Sequence, residues 1–230
     1  MKYKYLLFDA DNTLFDFGMA EYHAFRETCS HAGITWSEEA YRQYSAINDA
    51  LWKKLERGET TQTELKIQRS REFLDWYGFR GDTEEKAVYM GNDYKENLGL
   101  QTFLMPHAED ILAALVEKGY HISVVTNGIS AIQRARMAAS PIKQYVDDLF
   151  ISEELAAAKP DTVFFDKVFT ALGKPDRAEC LVIGDSLSSD IDGAAAYGLD
   201  SVWFTPADSD AKGRTPTYTI HELTELLNIL

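Results

Sequence analysis

The run Tyr5-Leu6-Leu7-Phe8-Asp9-Ala10-Asp11-Asn12-Thr13-Leu14-Phe15 carries an apolar stretch straight into two carboxylates one residue apart. A short apolar run bounded by turn residues reads as a buried strand. In open α/β sheets, ligands bind in the crevice outside the carboxyl ends of the strands, so acids at the end of a first buried strand are placed to do chemistry. A polar turn without chemistry is the plainer alternative. A calcium-binding loop fits poorly, because Thr13 and Leu14 stand where such a loop needs an acid or amide and a glycine.

What surrounds that strand follows from the rest of the pattern. After Phe15 the chain changes to long helical periods over about 18–32, 37–57, 61–77 and 83–97, punctuated by Gly33, Gly58, Gly78 with Gly81, and Gly99. Successive helices joined by short loops predict an antiparallel bundle. From Pro106 onward, strand and helix alternate. Helix 108–118, with Ile111, Leu112, Leu115 and Val116 as its apolar face, is followed by strand 121–126, helix 130–138, strand 149–151 and helix 162–172. Strand 181–183, helix 189–197, strand 201–204, a loop over 207–216 and a last helix 222–230 complete the order. Repeated β-α order predicts a doubly wound, mostly parallel sheet covered on both faces, an α/β core with an inserted α-helical bundle. The expected division is a core of residues 1–16 and 100–230 and a helical cap of residues 17–99. Right-handed crossovers bring Asp9, Thr126 and Asp185 to one edge of the sheet.

Composition narrows the partners. The 230 residues carry 23 Lys and Arg against 37 Asp and Glu, a formal charge of −14. Binding to long nucleic acid rests on clustered Lys and Arg, so that class of partner is not expected. A small phosphate ester remains open, since one metal ion and one lysine can reverse the local field inside a cleft. No apolar stretch approaches the roughly 18 residues of a membrane span, and a cytoplasmic protein without membrane contact is the expectation. Cys29 and Cys180 lack metal-ligand spacing and read as reduced thiols, with Cys180 buried at a strand start.

Three later segments join the first acids. Ile122-Ser123-Val124-Val125 ends in Thr126-Asn127-Gly128, Lys159-Pro160 follows an alanine-rich stretch, and Leu181-Val182-Ile183 ends in Gly184-Asp185 with Asp190 five residues on. With these in view, the chain resembles the haloacid dehalogenase (HAD) superfamily of aspartate-nucleophile phosphohydrolases over nearly its whole length. One departure is Asn12, where the commonest first motif has glycine; it bears on the geometry of the loop.

The resemblance implies Asp9 as nucleophile, a carboxylate able to form an aspartyl-phosphate, and Asp11 as the acid that protonates the leaving oxygen and then activates water. Mg²⁺ is the implied cofactor, held by Asp9, the Asp11 carbonyl and Asp185. Thr126, Asn127, Gly128 and Lys159 would bind the substrate phosphate, Thr126 through its hydroxyl and the two that follow through backbone amides at a strand-to-helix turn. Gly128 would permit close approach there, and Pro160 suits the first turn of the following helix. Asp190 stands behind them, holding a metal-bound water or orienting Lys159; a helix-start acid is its alternative.

Asp9 to Phe15, Ile151-Ser152-Glu153-Glu154 before Lys159, and Val202-Trp203-Phe204 are similar to a subgroup of bacterial pyrimidine 5′-nucleotidases. That resemblance implies nucleoside monophosphates such as UMP, dUMP or dTMP as substrates of a monomer or homodimer. A sugar-phosphate or phosphoglycolate phosphatase is the close alternative. The aromatics Phe15, Phe17, Tyr22, Phe25, Trp36, Tyr41, Tyr44 and Trp52 could stack on a base, although at helical spacing they read first as bundle core.

Three remoter readings compete. Gly184-Asp185-Ser186-Leu187-Ser188 spells the signature of a serine esterase family, but the segment lies late in the chain, and His221 has Tyr218 rather than Asp three residues before it. A phospho-signalling receiver domain combines similar residues, yet its phosphate-accepting aspartate lies on a later strand than its acidic pair. The dehalogenase branch of the superfamily attacks carbon without metal and lacks the second acid.

Overall fold

The computed structural model describes residues 2–205 and 209–230. The chain forms two compact units, Met1–Phe17 with Thr102–Leu230, and Gly18–Gln101.

The first unit is built on six strands, β1 (Tyr5–Phe8), β2 (His121–Thr126), β3 (Asp148–Ile151), β4 (Cys180–Gly184), β5 (Asp200–Phe204) and β6 (Tyr218–Ile220). Their order is β3-β2-β1-β4-β5-β6, and every pairing is parallel. The first strand is central because its residues are apolar on both faces. Leu6 and Phe8 point to one side and Leu7 to the other, and all three are fully buried. The Leu6 side packs against Ile111, Leu112 and Leu115 of α5 (Ala108–Glu117) and against Ile142, Leu223 and Leu226. The Leu7 side packs against Phe164, Phe165 and Val168 of α8 (Thr162–Ala171) and Ala194 and Tyr197 of α9 (Asp192–Tyr197). Strand order therefore reverses at β1, with β2 on one side and β4 on the other, which is where open sheets of this kind place their ligand site.

The second unit contains α1 (Phe17–Ala32), α2 (Glu38–Glu56), α3 (Gln62–Tyr77) and α4 (Thr83–Gly99). Its helix starts are written in the side chains. Ser37 accepts from the Ala40 amide, Thr61 and Glu64 form a reciprocal capping box, and Asp82 accepts from the Glu85 amide. Phe25 stacks on Tyr44 at 4.1 Å between ring centroids and meets Phe73 edge-on, so these aromatics are core of this unit.

Several sequence expectations need correction. Val116 is 41% exposed and does not belong to the apolar face of α5. The expected helix over 189–197 is instead a π-helical turn, Leu187–Ile191, running into α9, and the last helix is a 3₁₀ turn, Leu223–Asn228. The strand β6 was not anticipated, because Ile220 is its only buried residue and three residues make no apolar run. Short helices α6 (Ser130–Ala139) and α7 (Ser152–Leu155) follow β2 and β3. Pro160 precedes α8 rather than entering it; the helix is capped by Asp161, whose carboxylate accepts from the Val163 amide at 2.9 Å. Of the loop expected over 207–216, residues 207 and 208 lie outside the described residues. Both cysteines are buried and free, and burial pushes each thiol up to about 12. Among the described residues, no helix is long and apolar enough to cross a membrane.

Candidate active site

Three parallel strands deliver the site. Asp9 follows β1 and is tied to its neighbour by its amide, which donates to Ile183 O at 2.8 Å. Thr126 ends β2, and Asp185 follows β4. One oxygen each from Asp9, Asp185 and Asp190 lie within 4.8 Å of one another. Lys159, from the loop ahead of α8, enters this group. Its ammonium donates to Asp9 Oδ1 at 2.7 Å, to Asp190 Oδ1 at 2.6 Å and to Val125 O at 2.6 Å, so all three of its protons are placed.

Burial sets the electrostatics. Removal from water, with Asp190 and Asp185 close by, pushes the Asp9 carboxyl well above the ordinary carboxylate range, against the pull of Lys159. Asp185 is pushed up to about 7 by burial and then by Asp190, with Lys159 opposing. Burial works against the charge on Lys159, but Asp190 and Asp9 outweigh it and hold the ammonium above its usual value. Three carboxylates face one ammonium, which leaves two negative charges in excess when all are ionised. One divalent cation would balance that excess. The donor chemistry fits as well: hard carboxylate oxygens suit Mg²⁺. Each oxygen of Asp190 accepts one hydrogen bond, one from Lys159 and one from the Ser186 amide at 3.0 Å, which holds this acid in place beside Asp9 and Asp185.

The remaining predicted residues are brought to the same edge in unexpected ways. Thr126 Oγ1 accepts from the Gly128 amide at 3.0 Å, so that amide is turned inward to the threonine. Asn127 acts through its side chain, with Nδ2 donating to Lys159 O at 2.8 Å and Oδ1 accepting from Lys159 N at 2.9 Å. This two-bond latch ties the turn after β2 to the lysine loop. What comes close to Gly128 is the Gln133 amide: a β-carbon on Gly128 would sit 2.2 Å from Gln133 Nε2. Asn12 takes φ +60°, a left-handed conformation that asparagine tolerates better than most residues and glycine best, which accounts for the departure from the commonest motif.

Asp11 stands apart from the trio. Its Oδ2 accepts from Gln133 Nε2 at 2.5 Å, and its Oδ1 accepts from Arg136 Nη1. Neither partner was anticipated from sequence; the available signal was two long polar side chains, three apart, on the face of α6 that also buries Ile132 and Met137. Trp203 Nε1, donating to Asp185 O at 2.9 Å, was likewise missed as a fixture of the site.

A central switch point in a parallel sheet, with two strand-end aspartates, a buried lysine and a third acid behind it, is the arrangement that the sequence resemblance implies. A family model of haloacid dehalogenase-like hydrolases matches residues 3–198, and the chain belongs to that family. Pyrimidine 5′-nucleotidase PynA of Streptococcus pneumoniae is 34% identical over 100% of this chain and 96% of its own length. Pyrimidine 5′-nucleotidase YjjG of Escherichia coli is 31% identical over 100% of this chain and 99% of its own. A crystal structure of the HAD-hydrolase YfnB of Bacillus subtilis, described as bound to magnesium, superposes with a TM-score of 0.91 at 32% identity, covering 100% of this chain and 99% of that one. The chain is thus an enzyme, a hydrolase whose full-length relatives include phosphatases.

Proposed function

We propose that this protein is a Mg²⁺-dependent phosphomonoester hydrolase that works through an aspartyl-phosphate on Asp9, with pyrimidine nucleoside 5′-monophosphates as its substrates. The observation that carries the reading is the buried Asp9 carboxylate at the end of β1, held by Lys159 and flanked by Asp185.

Asp9, the Asp11 carbonyl and Asp185 would hold the Mg²⁺, which supplies charge neutralisation for the phosphoryl oxygens. The Thr126 hydroxyl and the Asn127 amide would bind the phosphate, with the Gly128 amide, which donates to Thr126 Oγ1, steadying that hydroxyl or turning outward to join them. Lys159 would neutralise it further by exchanging one of its present acceptors for a phosphoryl oxygen, while Asp190 keeps the ammonium in place. In the first step the Asp9 carboxylate attacks phosphorus. The bond to the leaving oxygen breaks, its electron pair goes to that oxygen, and the oxygen takes the proton of Asp11. In the second step Asp11, now a carboxylate, takes a proton from water as the water oxygen attacks phosphorus and the Asp9 carboxylate is released.

The helical unit Gly18–Gln101 would serve as the cap that selects the leaving group. Phosphate release is measured on UMP, dUMP, dTMP, sugar phosphates and phosphoglycolate, with Mg²⁺ and with excess chelator. The reading expects hydrolysis with Mg²⁺ only, highest on the pyrimidine nucleotides, and none in Asp9→Asn. Strong turnover in chelator overturns the metal; a sugar phosphate or phosphoglycolate as the best substrate overturns the nucleotidase.

A further inference from the structure

The side chain of Asp11 is gripped from both oxygens by one helix. Gln133 Nε2 donates to Oδ2 at 2.5 Å and Arg136 Nη1 donates to Oδ1, two residues three apart on α6. Both grips are themselves fixed. Arg136 is fully buried, and its guanidinium carbon lies 4.4 Å from the ring centroid of the fully buried Phe15. Gln133 is 3% exposed and passes so close to Gly128 that any β-carbon there would overlap its amide. Four residues from three segments thus converge to set one carboxylate that is itself partly open, with 26% of its side chain exposed.

We propose that Gln133 and Arg136 are positioning residues that aim the Asp11 carboxylate at the leaving-group oxygen, with Phe15 and Gly128 as their supports. The proposal rests on the reading of Asp11 as the acid and base of the reaction. A carboxylate offers four lone-pair directions over two oxygens. The grip takes one on each oxygen, which fixes the plane of the group and leaves the other two for the leaving oxygen and the attacking water. An arginine alone would leave the plane free to turn about the single contact. The glutamine removes that freedom without adding a second charge.

A residue that acts by aiming a proton donor has a signature that a merely structural residue lacks. Phenyl phosphate and 4-nitrophenyl phosphate are similar in shape, but phenolate leaves poorly without a proton and 4-nitrophenolate leaves readily. The ratio kcat/KM covers the steps up to formation of the phosphoenzyme, where the leaving group departs, and excludes the hydrolysis common to both substrates. In Gln133→Met and Arg136→Met, kcat/KM is expected to fall about 10-fold or more on phenyl phosphate and by less than about 3-fold on 4-nitrophenyl phosphate, a fraction of the range general acid catalysis commands. Equal losses on the two substrates, or no loss on either, overturn the proposal. Gln133→Met keeps the charge balance and decides the matter if Arg136→Met does not fold.

Asp11→Asn separates this inference from the reading beneath it. If Asp11→Asn itself fails to discriminate between the two esters, the acid role of Asp11 is wrong. If Asp11→Asn discriminates and the two α6 variants do not, the positioning role is wrong. A readout without substrate or metal completes the test: in the metal-free protein, the unfolding midpoints of Asp11→Asn, Arg136→Met and the double variant should be non-additive, as expected for side chains in contact. Additive shifts overturn the contact.

Discussion

Gly184 and Asp190 are fitted to each other: a β-carbon on Gly184 would stand 2.3 Å from Asp190 Cγ and 2.7 Å from its Cβ. The last residue of β4 lacks a side chain so that Asp190 can fold back over it and reach Lys159 on one oxygen and the Ser186 amide on the other. Gly184→Ala is expected to displace the whole Asp190 side chain, since its Cβ as well as its carboxylate lies in the way. Overpacking of this kind destabilises by about 1–3 kcal/mol, and displacing the partner of Lys159 by ~1 Å is expected to lower kcat by roughly 100-fold. Thermal unfolding and phosphate release check the two effects; unchanged turnover would mean that Lys159 does not need Asp190.

Lys159 is the cation among two buried acids, Asp9 and Asp190, and the half-buried Asp185. Lys159→Met removes it and leaves Val125 O without its donor, so the metal-free protein should lose about 3–5 kcal/mol, the range for breaking a buried ion pair. Ligands that bind only the native state raise its stability by mass action. Mg²⁺ should therefore raise the unfolding midpoint of the wild type, and should raise that of Lys159→Met by more, because the variant offers the cation a more negative site. Chemical unfolding with and without Mg²⁺ measures both; no response to Mg²⁺ in either protein would remove the cation from this cluster.

The parts of this site that follow strands are legible in the sequence. Asp9, Thr126 and Asp185 sit at the ends of apolar runs, and a parallel sheet with right-handed crossovers allows such ends only one edge. Lys159 was legible by its order in the chain among those residues. Contacts made by side chains across elements were not. Nothing in the local pattern around Asn127 shows that its amide will latch the backbone of Lys159, or that Gln133 and Arg136 will meet an acid more than a hundred residues away. The π-helical turn Leu187–Ile191 escaped for a different reason. Its Leu-Ser-Ser-Asp-Ile spacing suits an ordinary helix start, and what widens the turn is the wrap of its backbone around Ser186, whose carbonyl accepts from both Asp190 and Ile191.

Ser186 provides a direct test of the nucleophile. Its hydroxyl accepts from the Ser189 amide at 3.2 Å and lies 3.3 Å from Ser188 Oγ, a helix-start role with no histidine among its partners in the described residues. A serine nucleophile needs a base within hydrogen-bond reach. Ser186→Ala should therefore cost about 1 kcal/mol of stability as a lost cap and leave hydrolysis close to wild type, while Asp9→Asn abolishes it. Loss of hydrolysis in Ser186→Ala with activity kept in Asp9→Asn would transfer the nucleophile to Ser186.

Stability of the helical unit should depend on pH through one buried acid. Glu21 is 2% exposed; Asn48 Nδ2 donates to its Oε1 at 2.8 Å, and Arg69 Nη1 donates in turn to Asn48 Oδ1 at 3.2 Å. Burial pushes the Glu21 carboxyl above its ordinary value, against hydrogen bonds from Ser45 and Asn48. The folded protein therefore keeps this proton to a higher pH than the unfolded chain does. The contribution of Glu21 to stability is whole below its unfolded value of 4.5 and is lost as pH rises through the folded one. Glu21→Gln has no proton to lose, and its side-chain carbonyl can still accept from Asn48. The free energy of unfolding of Glu21→Gln minus that of the wild type should grow as pH is raised from 4.5, measured by urea unfolding at stepped pH. A difference constant with pH would show that Glu21 ionises alike in the folded and unfolded chains, and that the interior around Asn48 and Arg69 holds a carboxylate as readily as water does.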